Sequence, residues 1–138
     1  MITYEEIVPD VTTYHELRAS VNWSVFCAEQ STGALEHSIY GLVAKDGDDT
    51  VAMGRVVGDG MYYTIVDVIV KPVYQGQQIG STIVNRLVDR VVAGIPEGGR
   101  ACIQLIAAPG KEAFYEKLGF SSLPSENAGP GMCKVIYL

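Results

Sequence analysis

The stretch from Val66 to Ser81 contains the residues best placed to do chemistry. It opens with a β-branched apolar run, the composition of a buried strand, and Pro72, which cannot donate to a strand ladder, predicts where that strand ends. A glycine-bearing turn follows, and from Ile79 apolar residues recur at helical spacing. A strand, turn and helix in this order present the unpaired N–H groups of the helix's first turn, and their partial positive charge suits phosphate oxygens.

This turn is not a nucleotide-binding signature on its own. The sequence around Gly76 and Gly80 is neither Gly-x-Gly-x-x-Gly nor Gly-Lys-Ser/Thr, since Gly80 and not a lysine precedes Ser81. Two glycines between a strand and a helix are also common simply because glycine allows the backbone conformations of a tight turn. The phosphate interpretation therefore depends on features elsewhere in the chain.

Asp67 is a second candidate for chemistry. An acidic residue within the apolar run from Tyr62 to Val70 costs free energy unless its carboxylate is paired, solvated or used. A structural carboxylate and a functional one are equally compatible with this position. No spacing of Ser, His and Asp, or of Cys and His, indicates a covalent intermediate. Other acidic residues that stay open as candidates are Glu16, Glu29 and Asp59.

The composition indicates one globular domain, spanning residues 1–138. The chain is 48% hydrophobic and 19% charged, and its length suffices for a substantial core. A formal net charge of -6 argues against a nucleic-acid-binding surface. The three cysteines lack metal-ligand spacing, the N-terminus lacks signal-peptide architecture, and no apolar run approaches the roughly 20 residues needed to span a bilayer. We therefore expect a cytoplasmic protein with no metal site, no nucleic-acid partner and no membrane association.

The first half of the chain predicts two helices followed by an antiparallel meander. A short strand comes first, and the spacing of Thr13 and Glu16 is that of a capping box that begins a helix. A weaker helical pattern follows. Apolar residues then recur with period two around an Asp-Gly turn, which is typical of a hairpin. The predicted elements are the strand Ile2–Val8, the second helix Phe26–Leu35, and the strands Ile39–Ala44, Val51–Val57 and Tyr62–Val70.

The second half predicts a long helix, a strand and a small helical element. Gly94 and Pro96 end the helix that begins at Ile79. The apolar segment Ala101–Ala108 is expected to lie parallel to the fourth strand, because a long helix separates the two. A short helix over Lys111–Leu118 with a left-handed cap at Gly119 comes next. Two further strands are predicted, one starting at Phe120 and one over Met132–Leu138.

In two segments the chain resembles the GNAT superfamily of acyl-CoA-dependent N-acyltransferases. The segment Val68–Gly80 is similar to the family's strand–turn–helix element, whose signature is Gln/Arg-x-x-Gly-x-Gly/Ala. The segment Phe114–Phe120 closely matches the family's Phe-Tyr-x-x-x-Gly-Phe. The order of elements also fits over essentially the whole chain. One departure stands out, because Gln78 replaces the middle glycine of the first signature.

The resemblance implies an α+β fold with a mixed, mostly antiparallel sheet of about seven strands and helices on both faces. It also implies a splay between the fourth and fifth strands that receives the pantetheine arm of acetyl-CoA, the co-substrate. Backbone groups of the fourth strand would bind that arm, and the turn would hold the pyrophosphate. The implied acetyl-CoA-binding residues are Val68, Ile69, Val70, Gln75, Gly76, Gln77, Gln78, Ile79, Gly80 and Ser81.

The resemblance further implies direct acetyl transfer to a primary amine, expected to be that of a small molecule. Tyr115 is the candidate acid for the leaving thiolate, since a phenol with a pKa of about 10 stays protonated at neutral pH. Asp67 is the candidate on the amine side, and Trp23 and Phe26 are candidate substrate contacts. A non-catalytic acyl-CoA-binding regulator and a protein or peptide N-acetyltransferase stay open as alternatives. A homodimer is possible.

Overall fold

A computed structural model describes all residues from Met1 to Leu138, which form two compact units, residues 1–105 and residues 106–138. The first unit contains a five-stranded sheet in the order β1-β2-β3-β4-β5. Neighbouring strands are antiparallel except β4 and β5, which are parallel, as the sequence predicted. The strands are β1 (Ile2–Glu5), β2 (Tyr40–Asp46), β3 (Asp49–Gly58), β4 (Tyr62–Val70) and β5 (Cys102–Gln104).

Four helices accompany this sheet along the chain, which gives the α+β composition predicted from the sequence. The longest, α3, follows a single 3₁₀ turn over Pro72–Tyr74, and Gly94 lies at its C-terminal end as predicted. The helices are α1 (Val11–Ser20), α2 (Ala28–Glu36), α3 (Ile79–Ala93) and α4 (Glu112–Glu116). No helix is long and apolar enough to cross a membrane.

The sheet has five strands, so the prediction of about seven is wrong. The segments from Phe120 and over Met132–Leu138 form no strand, and β5 ends at Gln104 instead of Ala108. After β5 the only β pairing is an isolated bridge between Ser125 and Ala128. A segment forms a strand only where a neighbouring strand hydrogen-bonds to its backbone, so an apolar pattern alone does not determine whether a strand forms.

The start of α1 also differs from the prediction. The N-cap is Asp10, whose carboxylate accepts a 2.8 Å hydrogen bond from the Thr13 N–H, so the predicted capping box at Thr13 and Glu16 is not the helix start. This hydrogen bond lowers the pKa of Asp10. Asp is among the preferred N-cap residues, and Pro9 directly before it cannot continue a strand ladder.

Helices cover both faces of the sheet. Tyr14 and Leu17 of α1 and Leu35 of α2 pack against one face, and the sheet residues they meet are Val43, Met53 and Ile69. The next residue along β3, Gly54, faces the opposite side, because successive strand residues alternate between faces. A Cβ at Gly54 would lie 2.7 Å from Ile83 and 2.9 Å from Leu87, so α3 packs closely there because this position is glycine.

Candidate active site

A bulge in β4 places Asp67. Arg55 of β3 pairs with Val66, and Met53 pairs with Ile69, so two residues of β4 lie opposite the single residue Gly54. Asp67 takes a φ of 55°, in the left-handed region that non-glycine residues rarely adopt. A bulge of this kind bends the strand and redirects a side chain, and bulges are common beside functional sites.

The carboxylate of Asp67 is held by three side chains. It accepts 2.8 Å hydrogen bonds from Arg18 Nη1 and from Arg55 Nε, and a 2.7 Å bond from the Tyr14 hydroxyl. The Asp67 side chain is 7% exposed, and those of the two arginines are 13% and 11% exposed. We call these four residues the Asp67 cluster. Burial first, and then the hydrogen bond to Asp67, raises the pKa of Tyr14.

The Asp67 cluster continues into the aromatic residues predicted to contact substrate. The Arg18 guanidinium lies 5.5 Å from the ring centres of both Trp23 and Phe26, and its Nε donates a 2.6 Å hydrogen bond to the Ser24 carbonyl. Trp23 is half-buried, whereas Phe26 is 56% exposed. The structure therefore brings Trp23, Phe26 and Asp67 to one place, joined by Arg18.

A cavity of about 350 Å³ opens beside the Asp67 cluster, within the first unit. Tyr14 and Arg55 of the cluster line it, together with Phe26 and residues of α2. Among the α2 residues, Glu29 contributes an exposed carboxylate and Ser31 is buried, its hydroxyl 2.8 Å from His15 Nε2. The cavity thus combines an aromatic wall, one guanidinium and one carboxylate. Its volume suits a small organic molecule.

The second part of the site is the open edge of β4. β4 and β5 pair only from Tyr62 with Cys102 to Thr64 with Gln104. From Ile65 to Val70, the side of β4 away from β3 therefore has no neighbouring strand. Backbone N–H and C=O groups on such an edge are free to bind an extended ligand. Val68, Ile69 and Val70, the predicted acetyl-CoA contacts, lie in this segment. Because the Lys71 N–H bonds to the Val51 carbonyl of β3, strand alternation directs the backbone groups of Ile69 to β3 and those of Val68 and Val70 to the open side.

The turn after β4 presents a run of free N–H groups. No backbone N–H from Gly76 to Ser81 donates a hydrogen bond within the chain, and the first donor of α3 is Thr82, whose N–H bonds to the Gln78 carbonyl at 3.1 Å. These six donors lie at the N-terminus of a 15-residue helix, where the helix dipole adds positive potential. Such a run of donors at a helix N-terminus suits an anion with several oxygens.

Left-handed backbone at two positions shapes this turn. Gly76 has a φ of 80° and Gln78 has a φ of 63°. Gln78 is the N-cap of α3, yet its side chain makes no capping hydrogen bond. A residue with a Cβ adopts this left-handed backbone at a conformational cost of about 1–2 kcal/mol. Gln75 bonds through Nε2 to the Val70 carbonyl at 3.0 Å, which ties the turn to the end of β4.

Tyr115 lies in the second unit, on α4. Its ring meets Phe114 edge-on at a 5.0 Å centre distance and Phe120 at 6.0 Å. α4 ends at Glu116, earlier than the predicted Leu118, and Gly119 follows with the left-handed backbone predicted for it, at a φ of 95°. The Phe120 N–H bonds to the Tyr115 carbonyl at 3.1 Å. The Tyr115 hydroxyl has no hydrogen-bond partner in the chain, and burial raises the pKa of this phenol above its usual value. Tyr115 therefore stays protonated across the neutral range.

Sequence reasoning missed three members of the Asp67 cluster, namely Tyr14, Arg18 and Arg55. A signal for Arg55 existed, because it is a charged residue within an apolar strand that pairs with the strand of Asp67. Arg18 lies one helical turn after Tyr14, but nothing local indicates that this turn faces β4. The chain has no group of three or more His, Cys, Asp or Glu residues arranged to hold a metal ion.

The comparison with known proteins agrees with this geometry. A family model described as an acetyltransferase (GNAT) domain matches residues 37–122, which include both the turn after β4 and the Tyr115 segment. The chain belongs to the GNAT family of acetyltransferases. A solved structure of a probable acetyltransferase from meticillin-resistant Staphylococcus aureus is similar, with 30% identity and a TM-score of 0.86 over 99% of this chain and 100% of that one.

Two further relatives extend the comparison. A GNAT family acetyltransferase from Streptococcus pneumoniae TIGR4 has a TM-score of 0.81 and 28% identity over 99% of this chain and 98% of that one. Serotonin N-acetyltransferase 2, chloroplastic, of Oryza sativa subsp. japonica is 33% identical over 87% of this chain. The chain spans 60% of the length of that rice protein. These similarities support the family and the GNAT-type fold.

Proposed function

We propose that this protein transfers an acetyl group from acetyl-CoA to the primary amine of a small molecule, by direct attack of the amine on the thioester. The observation that carries the proposal is the run of six free N–H groups from Gly76 to Ser81, directly after a strand with an open edge. The two features lie in the order that acetyl-CoA requires, because its pyrophosphate and its pantetheine arm are adjacent in the molecule.

In this proposal the pyrophosphate binds to the N–H groups of the turn and of the first turn of α3. The pantetheine arm lies along the open edge of β4, where the outward backbone groups of Val68 and the N–H of Val70 offer hydrogen-bond partners as a neighbouring strand would, while Ile69 stays in the ladder with Met53. Backbone N–H groups of this strand end also suit the oxyanion that develops on the thioester carbonyl. Gln78 leaves its own N–H free, so it does not remove a donor from the turn.

The cavity beside the Asp67 cluster is the proposed site for the amine. Glu29 supplies a negative charge for an ammonium group, and Phe26 supplies an apolar face for the body of the molecule. The name of the rice relative, which specifies serotonin, supports a primary alkylamine that carries an aromatic ring. The cytoplasmic location predicted from the sequence stays a prediction.

Tyr115 is the proposed general acid. Its phenol is protonated at neutral pH, carries no internal hydrogen bond and can donate to the departing thiolate. The prediction that Asp67 accepts the proton of the amine stays a prediction. A carboxylate has roughly four acceptor positions, and that of Asp67 already accepts three hydrogen bonds. This favours a role in which Asp67 holds the side chains of the cavity wall in place over a role as proton acceptor.

Thermal unfolding tests the cofactor part of this proposal without knowledge of the amine. A ligand specific for the folded state adds about 2.7 kcal/mol at 100 times its dissociation constant, so acetyl-CoA and CoA should raise the melting temperature by several degrees, whereas NAD and ATP should not. Gly80→Glu places a carboxylate beside the N–H groups and should abolish the shift. Val92→Glu adds the same charge on an exposed position of the same helix and should keep it. No shift with millimolar acetyl-CoA would contradict the proposal.

A screen of small amines with acetyl-CoA tests the transfer itself. We expect thiol release with aromatic alkylamines, and loss of that release in Tyr115→Phe. If the unmodified protein binds acetyl-CoA but acetylates no amine, the protein is a non-catalytic acyl-CoA-binding regulator. Acetylation of peptides in preference to small amines would instead indicate a protein N-acetyltransferase.

A further inference from the structure

Two largely buried guanidinium groups share a single carboxylate in the Asp67 cluster. Arg18 and Arg55 each donate a 2.8 Å hydrogen bond to Asp67, and all three side chains are largely buried. Tyr14 adds no negative charge, because burial and its hydrogen bond to Asp67 raise the pKa of its phenol. One positive charge of the cluster therefore has no counter-ion. A buried charge without compensation is costly, so the cluster favours a ligand that brings a negative charge to it.

The two arginines differ in what else surrounds them. The Arg18 guanidinium lies 5.5 Å from the ring centres of Trp23 and Phe26, and aromatic faces attract a cation. Arg55 depends more on the shared carboxylate, because its one other hydrogen bond, from Nη1 to the Ser38 hydroxyl, is long at 3.4 Å. The positive charge is therefore less well compensated at Arg55 than at Arg18.

The terminal nitrogen Nη2 of Arg55 is a free donor that a ligand can reach. It donates no hydrogen bond within the chain. No buried side-chain nitrogen or oxygen of the protein lacks a hydrogen-bond partner, so Nη2 is not among the buried atoms. Arg55 lines the cavity beside the Asp67 cluster, and Glu29 supplies the only carboxylate among the residues that line it. The cavity therefore offers one cationic and one anionic group to the same ligand.

We propose that the acceptor is an amine that also carries a carboxylate, and that Arg55 selects it by binding that carboxylate. This inference rests on the proposed function and narrows its substrate class to amino acids with an apolar or aromatic side chain. Glu29 holds the ammonium group, and Phe26 contacts the apolar part of the molecule. A guanidinium suits the role of Arg55, because its charge is permanent and its N–H groups match the oxygens of a carboxylate.

Pairs of amines that differ in the carboxylate test this selection. The pairs are phenylalanine with phenethylamine, tryptophan with tryptamine, and leucine with 3-methylbutylamine. In at least one pair, kcat/KM at saturating acetyl-CoA should be higher for the amino acid. Arg55→Gln should lower the ratio of the two kcat/KM values by about 10- to 100-fold, the range expected when a hydrogen bond between charged groups is lost. Arg55→Lys keeps the charge and should retain part of the preference.

The ratio separates selection from a structural role of Arg55. A distorted Asp67 cluster would lower kcat/KM for both members of a pair and leave their ratio unchanged. Arg86→Gln is the matched control, since it removes an exposed arginine of α3 that does not line this cavity, and it should keep the ratio of the unmodified protein. An active protein with no preference for any amino acid, or a preference that Arg55→Gln leaves intact, would overturn the proposal.

Binding of 3-phenylpropionate tests the carboxylate site without acetyl transfer, because this molecule has a ring and a carboxylate but no amine. In calorimetry, Arg55→Gln should weaken its binding by about 10- to 100-fold. Glu29→Gln should bind it at least as tightly as the unmodified protein, because one negative charge leaves the cavity. This pattern in a protein that acetylates no amine would support the carboxylate site and contradict only the proposed function. Failure of the unmodified protein to bind 3-phenylpropionate would overturn the carboxylate site.

Discussion

Replacing Asp67 by asparagine removes the negative charge between two guanidinium groups while leaving the shape of the side chain nearly unchanged. Asparagine also tolerates the left-handed backbone that Asp67 adopts, so the substitution does not add backbone strain. The carboxylate accepts 2.8 Å hydrogen bonds from both Arg18 and Arg55. After the substitution two arginine side chains, only 13% and 11% exposed, lose their counter-ion.

Breaking a buried ion pair by removing one partner typically costs about 3–5 kcal/mol, because the remaining charge stays buried without compensation. The low exposure of all three side chains places the Asp67 cluster in this class and not among surface pairs. For a domain of this size, each kcal/mol lowers the melting temperature by about 3–5 °C, so we expect a decrease of about 10–20 °C. Urea unfolding should show the same loss as a lower midpoint with an unchanged slope.

Glu5→Gln is the matched control, since it removes one carboxylate from a more exposed ion pair. Lys45 Nζ lies 3.2 Å from Glu5, and the two side chains are 26% and 47% exposed. Surface pairs contribute at most about 1 kcal/mol, so this variant should remain near the stability of the unmodified protein. If Asp67→Asn costs no more than Glu5→Gln, the Asp67 carboxylate is effectively solvated, and the argument that it is fully engaged by the arginines is wrong.

Three other predictions concern the catalytic and binding residues. Asp67→Asn should reduce activity equally for amines of high and low pKa if Asp67 positions the cavity, whereas a defect that shrinks for amines of low pKa would identify it as the proton acceptor. Tyr115→Phe should lower kcat by about 10²–10⁴ with every amine, the usual range for a lost general acid, while acetyl-CoA affinity measured by calorimetry stays the same. Folding raises the pKa of Tyr14 and Tyr115, so the stability that these phenols contribute is complete below about pH 10 and is lost as pH rises through the raised pKa values. The midpoint of urea unfolding should therefore fall between about pH 9 and pH 11.5, and it should fall less in Tyr115→Phe. A midpoint independent of pH would contradict the burial of both groups.

The sequence predicted best the parts of the fold that local patterns determine. β4 spans Tyr62–Val70 as predicted, and α3 runs from Ile79 until Gly94 ends it, because a β-branched run, a turn and a helical repeat follow one another without interruption. The hairpin around Gly47, which has a φ of 62°, was also predicted, from its Asp-Gly turn. These elements also contain the residues that the sequence indicates for acetyl-CoA binding, and their role in binding stays a prediction.

The rest depends on contacts between residues far apart in the sequence. Asp67 stood out as a charge in an apolar strand, but its partner Arg18 is 49 residues away on another element. The segment Met132–Leu138 has a strand-like pattern but forms no strand, so the pattern alone was a poor guide there. Local patterns determine which segments favour a strand or a helix, but they do not determine which partners those segments meet.

The most direct test of the central claim is to follow the backbone amides of the turn while CoA is added. In ¹H–¹⁵N spectra of the labelled protein, the amide signals of residues 76–81 should move strongly as their N–H groups bind phosphate oxygens. The amides of Gly33 and Gly47, in α2 and in the β2–β3 turn, serve as internal references and should move little. Large shifts confined to other parts of the chain, with residues 76–81 unchanged, would contradict the assignment of this turn as the pyrophosphate site.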